Sequence, residues 1–368
     1  MRVLHFFKTY LPDSFTGVER VIHAIAEATA RLGVTSDVLS LSSNPAKTPL
    51  TVGRHRSHQS KQDLYVASTG LSLKVFADFR RLAAQADVVH YHFPWPMMDL
   101  VHSLANPGKP TLVTYHSDVV KQQGLLKLYR PLMGHFLSSV DAIVATSPNY
   151  VQSSLVLAQY RDKVSVIPIG IADVAPADRD LVERLRARVG SRFFLFVGAL
   201  RYYKGLPFLL EAARSTGLPV VIAGSGDATS IAEANLPNVI VLGEIGEAEK
   251  QALLELCTAF VFPSHLRSEA FGVALLEAAR AGRPMISCEI GTGTSYVNLD
   301  GVTGITVPPA DAAALAGAIT ALWSDPSRCA QMGNAARRRY ETLFTASAMG
   351  EAYAALYEKL ATARRGQR

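Results

Sequence analysis

The sequence predicts an α/β protein built from two doubly wound domains, and three observations support this class. Short apolar runs typical of strands alternate with helical patterns along the whole chain. The chain has 368 residues, which is long for one domain, and its 49% hydrophobic content is enough for two cores. Alternating strands and helices form parallel sheets covered by helices on both faces, so two such sets indicate two doubly wound domains.

In the first half, six apolar runs predict strands, with helices between them at residues 17–33 and 129–140. The runs are MRVLHFF, SDVLSL, DVVHYH, TLVTYH, DAIVATS and KVSVIPI. The Pro- and Gly-containing stretch at 167–171 marks the domain boundary. Residues 1–170 are therefore predicted to form a first domain.

The second half repeats the pattern with FFLFVGA, PVVIAG, NVIVLGE, AFVFPS, PMISCE and GITVPP. Before them, the polar, Pro-containing segment 172–188 predicts a linker and a first helix. A second domain of residues 171–345 follows. The final helical pattern, 346–363, has no strand after it, so we expect this helix to pack back on the first domain.

Charge is distributed unevenly along the chain. Residues 1–170 contain 17 Lys and Arg against 11 Asp and Glu, whereas the remainder contains 20 of each. A basic half predicts an acidic partner such as an anionic membrane surface, a lipid diphosphate or nucleic acid, and a solvated basic surface is an equal alternative. The loop predicted at 53–61 is basic, and the amphipathic segment 121–140 suits either a membrane interface or, as we favour, the domain core.

No apolar run is long enough to span a bilayer, and the first 14 residues predict a strand rather than a signal peptide. Cys257, Cys288 and Cys329 are odd in number and lack metal-site spacing. A reducing cytoplasm suits them, so we expect a cytoplasmic protein, peripheral at the inner face of the plasma membrane.

The most informative stretch is SHLRSEAFGVALLEAAR, residues 264–280. Glu269 lies where a loop should turn into a helix, and Glu277 lies eight residues later within that helix. The N–H groups of Phe271, Gly272 and Val273 would point out of the helix N-terminus, which attracts anions. A carboxylate beside a phosphate-binding helix end, with a second carboxylate nearby, predicts a site for a sugar nucleotide.

A second motif, VGALRYYKG at 197–205, follows a strand and precedes a helix. At this end of a parallel sheet, Gly198 would allow close approach of a ligand, and Arg201 and Lys204 would clamp a diphosphate. They could instead be two surface cations at a helix start. The helix dipole disfavours cations there, so the functional interpretation is preferred.

Four further positions follow predicted strands. His116 could hydrogen-bond a sugar hydroxyl or act as an acid or base, although a lone histidine is more often structural. Gly17 opens a helix, so its N–H could approach a phosphate, or it is an ordinary turn glycine. The small polar loop 291–295 would let backbone groups and hydroxyls reach a ligand, and the loop at Gly224 is similar.

Other patterns carry less weight. Asp178 and Asp180 have metal-ligand spacing but stand at a helix start, where aspartate caps. His90 and His92 share one face of a strand and are interpreted as crevice-lining or structural residues, so no metal site is predicted. The Gly-Lys-Ser/Thr phosphate loop and the nucleophile elbow are missing from the sequence. The dinucleotide Gly motif is missing as well, which argues against a dehydrogenase.

Together, these motifs resemble the retaining glycosyltransferases of family 4, which have the GT-B fold of two Rossmann-like domains facing a central cleft. The resemblance covers nearly the whole chain. Glu269 to Glu277 matches the E-x7-E signature, and Gly198, Lys204 and the DGVTG run at 300–304 match as well. Ala199 departs from the arginine common after the Gly, and Arg201 would replace that arginine. The usual Gly-Gly pair of the first loop is Thr16-Gly17.

The resemblance implies that residues 1–170 bind the acceptor and that residues 171–345 bind the nucleotide sugar. It also implies roles for single residues. Glu269 would contact the donor sugar, Glu277 the ribose, and the N–H groups of Phe271 and Gly272 the diphosphate, while His116 matches the catalytic-site histidine. The closest likeness is to bacterial mannosyl- and rhamnosyltransferases of polysaccharide and O-antigen (lipopolysaccharide) synthesis that use GDP-sugars such as GDP-mannose.

The implied activity is a metal-independent hexosyl transfer without a cofactor. The donor is a nucleotide diphosphate sugar, and the acceptor is a lipid-diphosphate-linked or oligosaccharide hydroxyl at an anionic membrane surface, with no nucleic acid partner. Two alternatives stay open at this point. One is a sugar-nucleotide epimerase or hydrolase of the same fold, and the other is a non-catalytic nucleotide- or lipid-binding protein.

Overall fold

The computed structural model describes residues 1–66, 69–119, 123–227 and 229–365. The chain divides into two compact units. One comprises Met1–Ala172 together with the chain from Ala346 onward, and the other comprises Asp173–Thr345. Within the described residues, every helix is either too short or too polar to cross a membrane.

The first unit follows the alternating pattern of strands and helices. Its elements are β1 (Arg2–Phe6), α1 (Gly17–Ala30), β2 (Thr35–Ser42), β3 (Leu50–Val52), β4 (His55–Lys61), β5 (Leu64–Val66), β6 (Thr69–Leu71), α2 (Val75–Gln85), β7 (Val88–Phe93), α3 (Pro96–Ala105), β8 (Thr111–Tyr115), α4 (Gln123–Ser139), β9 (Ala142–Ala145), α5 (Pro148–Ser153), a 3-10 helix (Leu157–Lys163) and β10 (Val164–Val166).

Among the described residues, the main sheet of this unit has eight strands in the order β10-β9-β8-β7-β1-β2-β4-β3. All neighbours are parallel except β3, which runs antiparallel to β4 at the edge. The central strands are buried on both faces, which explains their continuous apolar runs. Strand order reverses between β1 and β7, so the ends of these strands open a crevice.

The second unit contains α6 (Arg179–Val189), β11 (Phe194–Val197), a 3-10 turn (Tyr202–Lys204), α7 (Leu206–Thr216), β12 (Val220–Ala223), α8 (Thr229–Ala234), β13 (Val239–Gly243), α9 (Glu247–Leu256), β14 (Ala259–Phe262), α10 (Val273–Arg280), β15 (Met285–Cys288), α11 (Gly293–Val297), β16 (Gly304–Val307), α12 (Ala312–Ser324) and α13 (Pro326–Leu343). The described strands form one parallel sheet in the order β13-β12-β11-β14-β15-β16. This is the Rossmann order, and its switch point lies between β11 and β14.

The last helix, α14 (Ala346–Arg365), belongs to the first unit, where it packs along α1. A side chain at Gly350 would come within 2.7 Å of Ala28, so the two helices approach closely there. The hydroxyl groups of Tyr353 and Tyr357 reach the sheet, at 2.8 Å from Thr114 Oγ1 and His90 Nδ1 respectively. Helix α14 is therefore held in the first unit by polar contacts as well as by apolar packing.

Each of the twelve runs predicted as strands contains a strand, but the prediction of a loop at 53–61 is wrong. Residues His55–Lys61 form β4, which pairs with β2. The inward side chains of β4 are polar, which hid the strand pattern, and each has a partner. His58 Nε2 lies 2.7 Å from Asp37, and the Ser57 hydroxyl donates to the Leu11 carbonyl at 2.9 Å.

Helix α4 settles the interpretation of the amphipathic segment. Phe136 and Leu137 are fully buried and Leu128 is exposed, so the apolar face turns into the core as we favoured. Residues 121 and 122 of this segment lie outside the described residues. The three cysteines are free and buried in the second unit.

Candidate active site

The ends of β11 and β14 meet at the switch point of the second unit and bring two predicted residues together. Lys204 ends the turn after β11, and Glu269 lies in the loop between β14 and α10. Their side chains form an ion pair, with Nζ and Oε2 2.5 Å apart, and they are only 13% and 14% exposed. Lys204 Nζ also lies 4.6 Å from the centre of the Phe262 ring. The pair holds a cation and a carboxylate in fixed positions beside each other.

The loop that carries Glu269 leads into the N-terminus of α10. Gly272 caps this helix with a φ of 83°, a conformation that glycine adopts at little cost. The N–H groups of Phe271, Gly272 and Val273 donate to no described residue. Unpaired N–H groups at a helix start form an anion site beside the Lys204–Glu269 pair.

The small polar loop at 291–295 holds the backbone of the Glu269 loop in place and does not itself line the site. The Thr292 hydroxyl donates to the Glu269 carbonyl at 2.8 Å, and the Gly293 N–H donates to the Ala270 carbonyl at 2.9 Å. Thr292 and Thr294 are buried, and Gly293 begins α11. The expectation that the hydroxyls of this loop reach a ligand is therefore wrong for Thr292 and Thr294. The Thr292 hydroxyl holds the Glu269 backbone, and the Thr294 hydroxyl is buried 3.3 Å from that of Thr292.

Glu277 lies on α10 and forms a second ion pair. Lys250 of α9 places its Nζ 2.7 Å from Glu277 and 2.7 Å from Glu247. Lys250 is almost fully buried, and the Glu277 side chain is 14% exposed. Sequence reasoning missed Lys250. Its spacing from Glu247 indicates a helical pair, but nothing in the sequence links it to a residue 27 positions away.

Gly198 and Gly224 end the neighbouring strands β11 and β12, where their backbones touch. A Cβ on Gly224 would come 1.9 Å from the Gly198 carbonyl oxygen, and the Gly198 N–H donates to the Ala223 carbonyl at 3.0 Å. The pair of glycines is thus explained by close approach of two loops. Arg201 follows them and is exposed, and its side chain has no hydrogen-bond or ion-pair partner among the described residues.

In the first unit, Gly17 begins α1 after β1, as predicted. The loop before it is held by Glu19, whose buried carboxylate accepts hydrogen bonds from the hydroxyls of Thr9, Ser14 and Thr16 at 2.5–3.0 Å. A Cβ on Gly17 would meet no described atom within 4 Å, so the space above this helix start is open.

His116 follows β8 and is the end of a buried row of imidazoles. Its Nε2 lies 3.0 Å from His92 Nδ1, and His92 Nε2 lies 3.1 Å from His5 Nδ1. Burial lowers the pKa of His116 to about 3 and the pKa of His5 to about 3, and it lowers the pKa of His92 well below its usual value. All three rings are therefore neutral near pH 7.

His90 and His92 share one face of β7, with ring centres 4.3 Å apart. Both are fully buried, so their interpretation as crevice-lining residues is wrong and the structural interpretation holds. His5, His90 and His92 each place one nitrogen within 4.8 Å of the others, a distance compatible with a metal ion. Both nitrogens of His90 are hydrogen-bonded, however, to Tyr357 and Thr114, at 2.8 and 2.7 Å.

The pair Asp178 and Asp180 lies at the start of a helix, as expected. Asp178 is the N-cap of α6, and its side chain accepts a hydrogen bond from the Leu181 N–H at 2.9 Å.

The chain matches two family models that together cover most of its length. Residues 15–173 match the model described as Glycosyltransferase Family 4, and residues 178–339 match Glycosyl transferases group 1. The chain is 54% identical over 354 residues to the D-rhamnosyltransferase WbpZ of Pseudomonas aeruginosa, covering 94% of this chain and 93% of that protein. It is 49% identical to the O-antigen chain mannosyltransferase C of Escherichia coli, covering 98% and 99%.

Solved structures share the fold at lower identity. The sucrose-phosphate synthase of Thermosynechococcus elongatus superposes with a TM-score of 0.78 at 21% identity, over 98% of this chain and 99% of that one. The Anabaena protein Alr3699/HepE, solved in complex with UDP, gives 0.76 at 17% identity, over 98% and 100%. These neighbours have the GT-B fold of two Rossmann-like domains, which is the fold predicted from the sequence.

Proposed function

The chain belongs to glycosyltransferase family 4 and is a hexosyltransferase, and from this premise we propose that it moves mannose or D-rhamnose from a GDP-sugar to a growing O-antigen chain, with retention of configuration. The observation that carries the proposal is the ion pair of Lys204 and Glu269 beside the open N-terminus of α10. The names of the two relatives at about 50% identity support the sugar and the polysaccharide.

Each part of the site has a role in this proposal. Negative charge builds on the leaving diphosphate, where the N–H groups of Phe271, Gly272 and Val273 stabilise it together with Lys204 and Arg201. These groups carry the positive charge, so the proposal needs no metal ion and no cofactor.

The two carboxylates recognise the two ends of the donor. Glu269, oriented by Lys204, accepts hydrogen bonds from sugar hydroxyls. Glu277, oriented by Lys250, accepts them from the ribose. Gly198 and Gly224 let the backbone approach the nucleotide, and Gly17 and His116 are the residues of the first unit assigned to the ligand.

The donor assignment has a direct test. Purified protein is incubated with GDP-mannose, GDP-D-rhamnose or UDP-glucose, with and without a lipid-diphosphate-linked oligosaccharide, and both nucleotide release and sugar incorporation are measured. We expect incorporation from a GDP-sugar at least about tenfold faster than from UDP-glucose. GDP at about 100 times its Kd should also stabilise the fold by about 2.7 kcal/mol, and UDP and ADP should stabilise it less.

The same experiment separates the alternatives left open by the sequence. A hydrolase would release free sugar without acceptor, an epimerase would convert the donor without releasing nucleotide, and a binding protein would show only the thermal shift. Any of these patterns contradicts the proposal, and so does a preference for UDP-glucose.

We also propose that the first unit meets an anionic membrane surface, where a lipid-linked acceptor would reside. Residues 1–170 carry a surplus of six positive charges. The hairpin of β5 and β6 exposes consecutive apolar side chains, since Leu64, Tyr65 and Val66 are each more than half exposed. Adjacent strand residues point to opposite faces, so the hairpin exposes apolar groups on both of its faces. Such a hairpin suits insertion among lipid headgroups better than docking on a flat protein surface.

Substituting serine at both Leu64 and Val66 should reduce binding to vesicles of phosphatidylethanolamine and phosphatidylglycerol at least about tenfold, because the inserted apolar area is lost. Co-sedimentation measures the effect. Leu155→Ser is the matched control, because Leu155 is 85% exposed in the same unit but outside the hairpin. Equal binding by the double variant and the control would contradict the assignment of the hairpin.

A further inference from the structure

Seven histidines are buried in the first unit, and buried imidazoles are costly unless their nitrogens are paired. Three of them, His5, His92 and His116, form a continuous row from β1 through β7 to the end of β8. The two nitrogen–nitrogen distances are 3.1 Å and 3.0 Å, and each is a hydrogen-bond distance. The row therefore connects a fully buried strand residue to a residue assigned to the ligand.

A neutral imidazole has one donor nitrogen and one acceptor nitrogen, so the row has only two proton arrangements. In the first, His5 donates from Nδ1 to His92, and His92 donates from Nδ1 to His116. In the second, His116 donates from Nε2 to His92, and His92 donates from Nε2 to His5. The first leaves a proton on His116 Nδ1, and the second leaves His116 Nδ1 without one.

The buried end of the row selects between them. His5 Nε2 is fully buried and has no hydrogen-bond partner in the described part of the chain. In the first arrangement this atom is a bare acceptor, and in the second it is an unpaired N–H. Orphaned buried N–H groups are rarer in proteins than under-satisfied acceptors, so the first arrangement is favoured.

The other end of the row is not fully enclosed. His116 retains 7% exposure, and its Nδ1 is not fully buried and has no hydrogen-bond partner among the described residues. The first arrangement thus places an N–H donor at the accessible nitrogen. Such a donor suits an oxygen acceptor such as a sugar hydroxyl or a phosphate oxygen. A protonated Nδ1 cannot take a proton from an attacking hydroxyl.

We propose that His92, backed by His5, is a positioning residue that fixes His116 as the Nδ1-protonated tautomer, so that His116 offers its ligand a neutral hydrogen-bond donor and does not act as a general base. This inference rests on the proposed function, which assigns His116 to the ligand. It narrows the two roles that the sequence allowed for His116 to one.

The tautomer can be measured without any substrate. Protein labelled with 15N at histidine gives distinct nitrogen shifts for protonated and bare ring nitrogens, and the His116 signals are identified by their loss in His116→Gln. We expect a protonated Nδ1 and a bare Nε2 from pH 6 to 8. A protonated Nε2 overturns the proposal. A protein that shows this tautomer but transfers no sugar contradicts the proposed function and leaves the tautomer assignment standing.

Two substitutions of His92 test its positioning role. His92→Leu removes the donor to His116, whereas His92→Asn places an amide N–H near the former Nδ1. We expect His92→Leu to shift His116 toward the Nε2-protonated tautomer and to lower kcat/KM about tenfold, and His92→Asn to keep the tautomer and stay within about threefold of wild type.

His102→Asn is the matched control, because His102 is also buried in this unit and hydrogen-bonded at both nitrogens, to Tyr91 and Ser139, outside the row. It should lower thermal stability without altering the His116 shifts or kcat/KM. An unchanged His116 tautomer in His92→Leu overturns the role of His92. Should that variant fail to fold, the wild-type shifts and the His92→Asn spectrum still decide the question.

Discussion

Replacing Lys204 by methionine should lower the rate of sugar transfer about a thousandfold while leaving the protein folded. Methionine keeps an apolar stem against the Phe262 ring but removes the charge that lies 4.6 Å from its centre. The leaving diphosphate then loses a cation. Glu269, whose Oε2 lies 2.5 Å from the ammonium of Lys204, is left as an unneutralised carboxylate beside the diphosphate. The rate at saturating donor and acceptor measures the loss, and circular dichroism checks the fold.

Arg214→Met is the control, since Arg214 is an exposed cation on the neighbouring helix α7, and it should leave the rate unchanged. Lys204 can act in two ways, through the phosphate or only by neutralising Glu269. The double variant Lys204→Met/Glu269→Gln separates them by its affinity for GDP, because the neutral amide no longer needs a cation. GDP affinity that is lost in Lys204→Met and recovers in the double variant would refute a phosphate role, and near wild-type transfer rates in Lys204→Met alone would refute both.

The alternation of strands and helices was enough to predict the fold of both units. Runs such as 193–199 and 259–263 are apolar throughout because both faces of these strands are buried, as the burial of β11 and β14 shows. The two doubly wound units follow from this local pattern. The GT-B fold was implied by the family resemblance.

Strand β4 shows where the pattern fails. Its sequence, HRSHQSK, is polar, yet His55, Ser57 and Ser60 are buried. The reason lies in tertiary partners. His55 bonds to Tyr10 and Glu27, both at 2.8 Å, and Ser60 donates to Asp78 at 2.7 Å. A strand stabilised by buried hydrogen bonds instead of apolar contacts leaves no periodic signal in the sequence.

The ion pairs of the site were beyond sequence reasoning for a related reason. Lys204 and Glu269 were each predicted, but for different groups of the donor, the diphosphate and the sugar, and their mutual contact depends on how two loops end at one switch point. Lys250 lies on α9 and reaches Glu277 only because α9 and α10 pack on the same sheet. Residue type and spacing select candidates, while the pairing between distant candidates is set by packing.

Exchanging Glu269 for glutamine should separate sugar recognition from nucleotide recognition. The amide keeps the shape of the side chain but loses the charged acceptor that we assign to the sugar hydroxyls. We expect kcat to fall about a thousandfold, because misplacing the reacting sugar raises the barrier, while the affinity for GDP stays within about threefold. Transfer rates and calorimetric titration with GDP measure the two quantities.

Glu277→Gln supplies the comparison, because this carboxylate is assigned to the ribose and is held by Lys250 at 2.7 Å. It should weaken GDP binding about tenfold, since a charged acceptor to the ribose hydroxyls is lost. The same chemical change is therefore expected to leave GDP affinity nearly unchanged at Glu269 and to lower it at Glu277. If Glu269→Gln weakened GDP binding as much as Glu277→Gln did, Glu269 would contact the nucleotide, and the assignment of the sugar to the Lys204 side of α10 would be wrong.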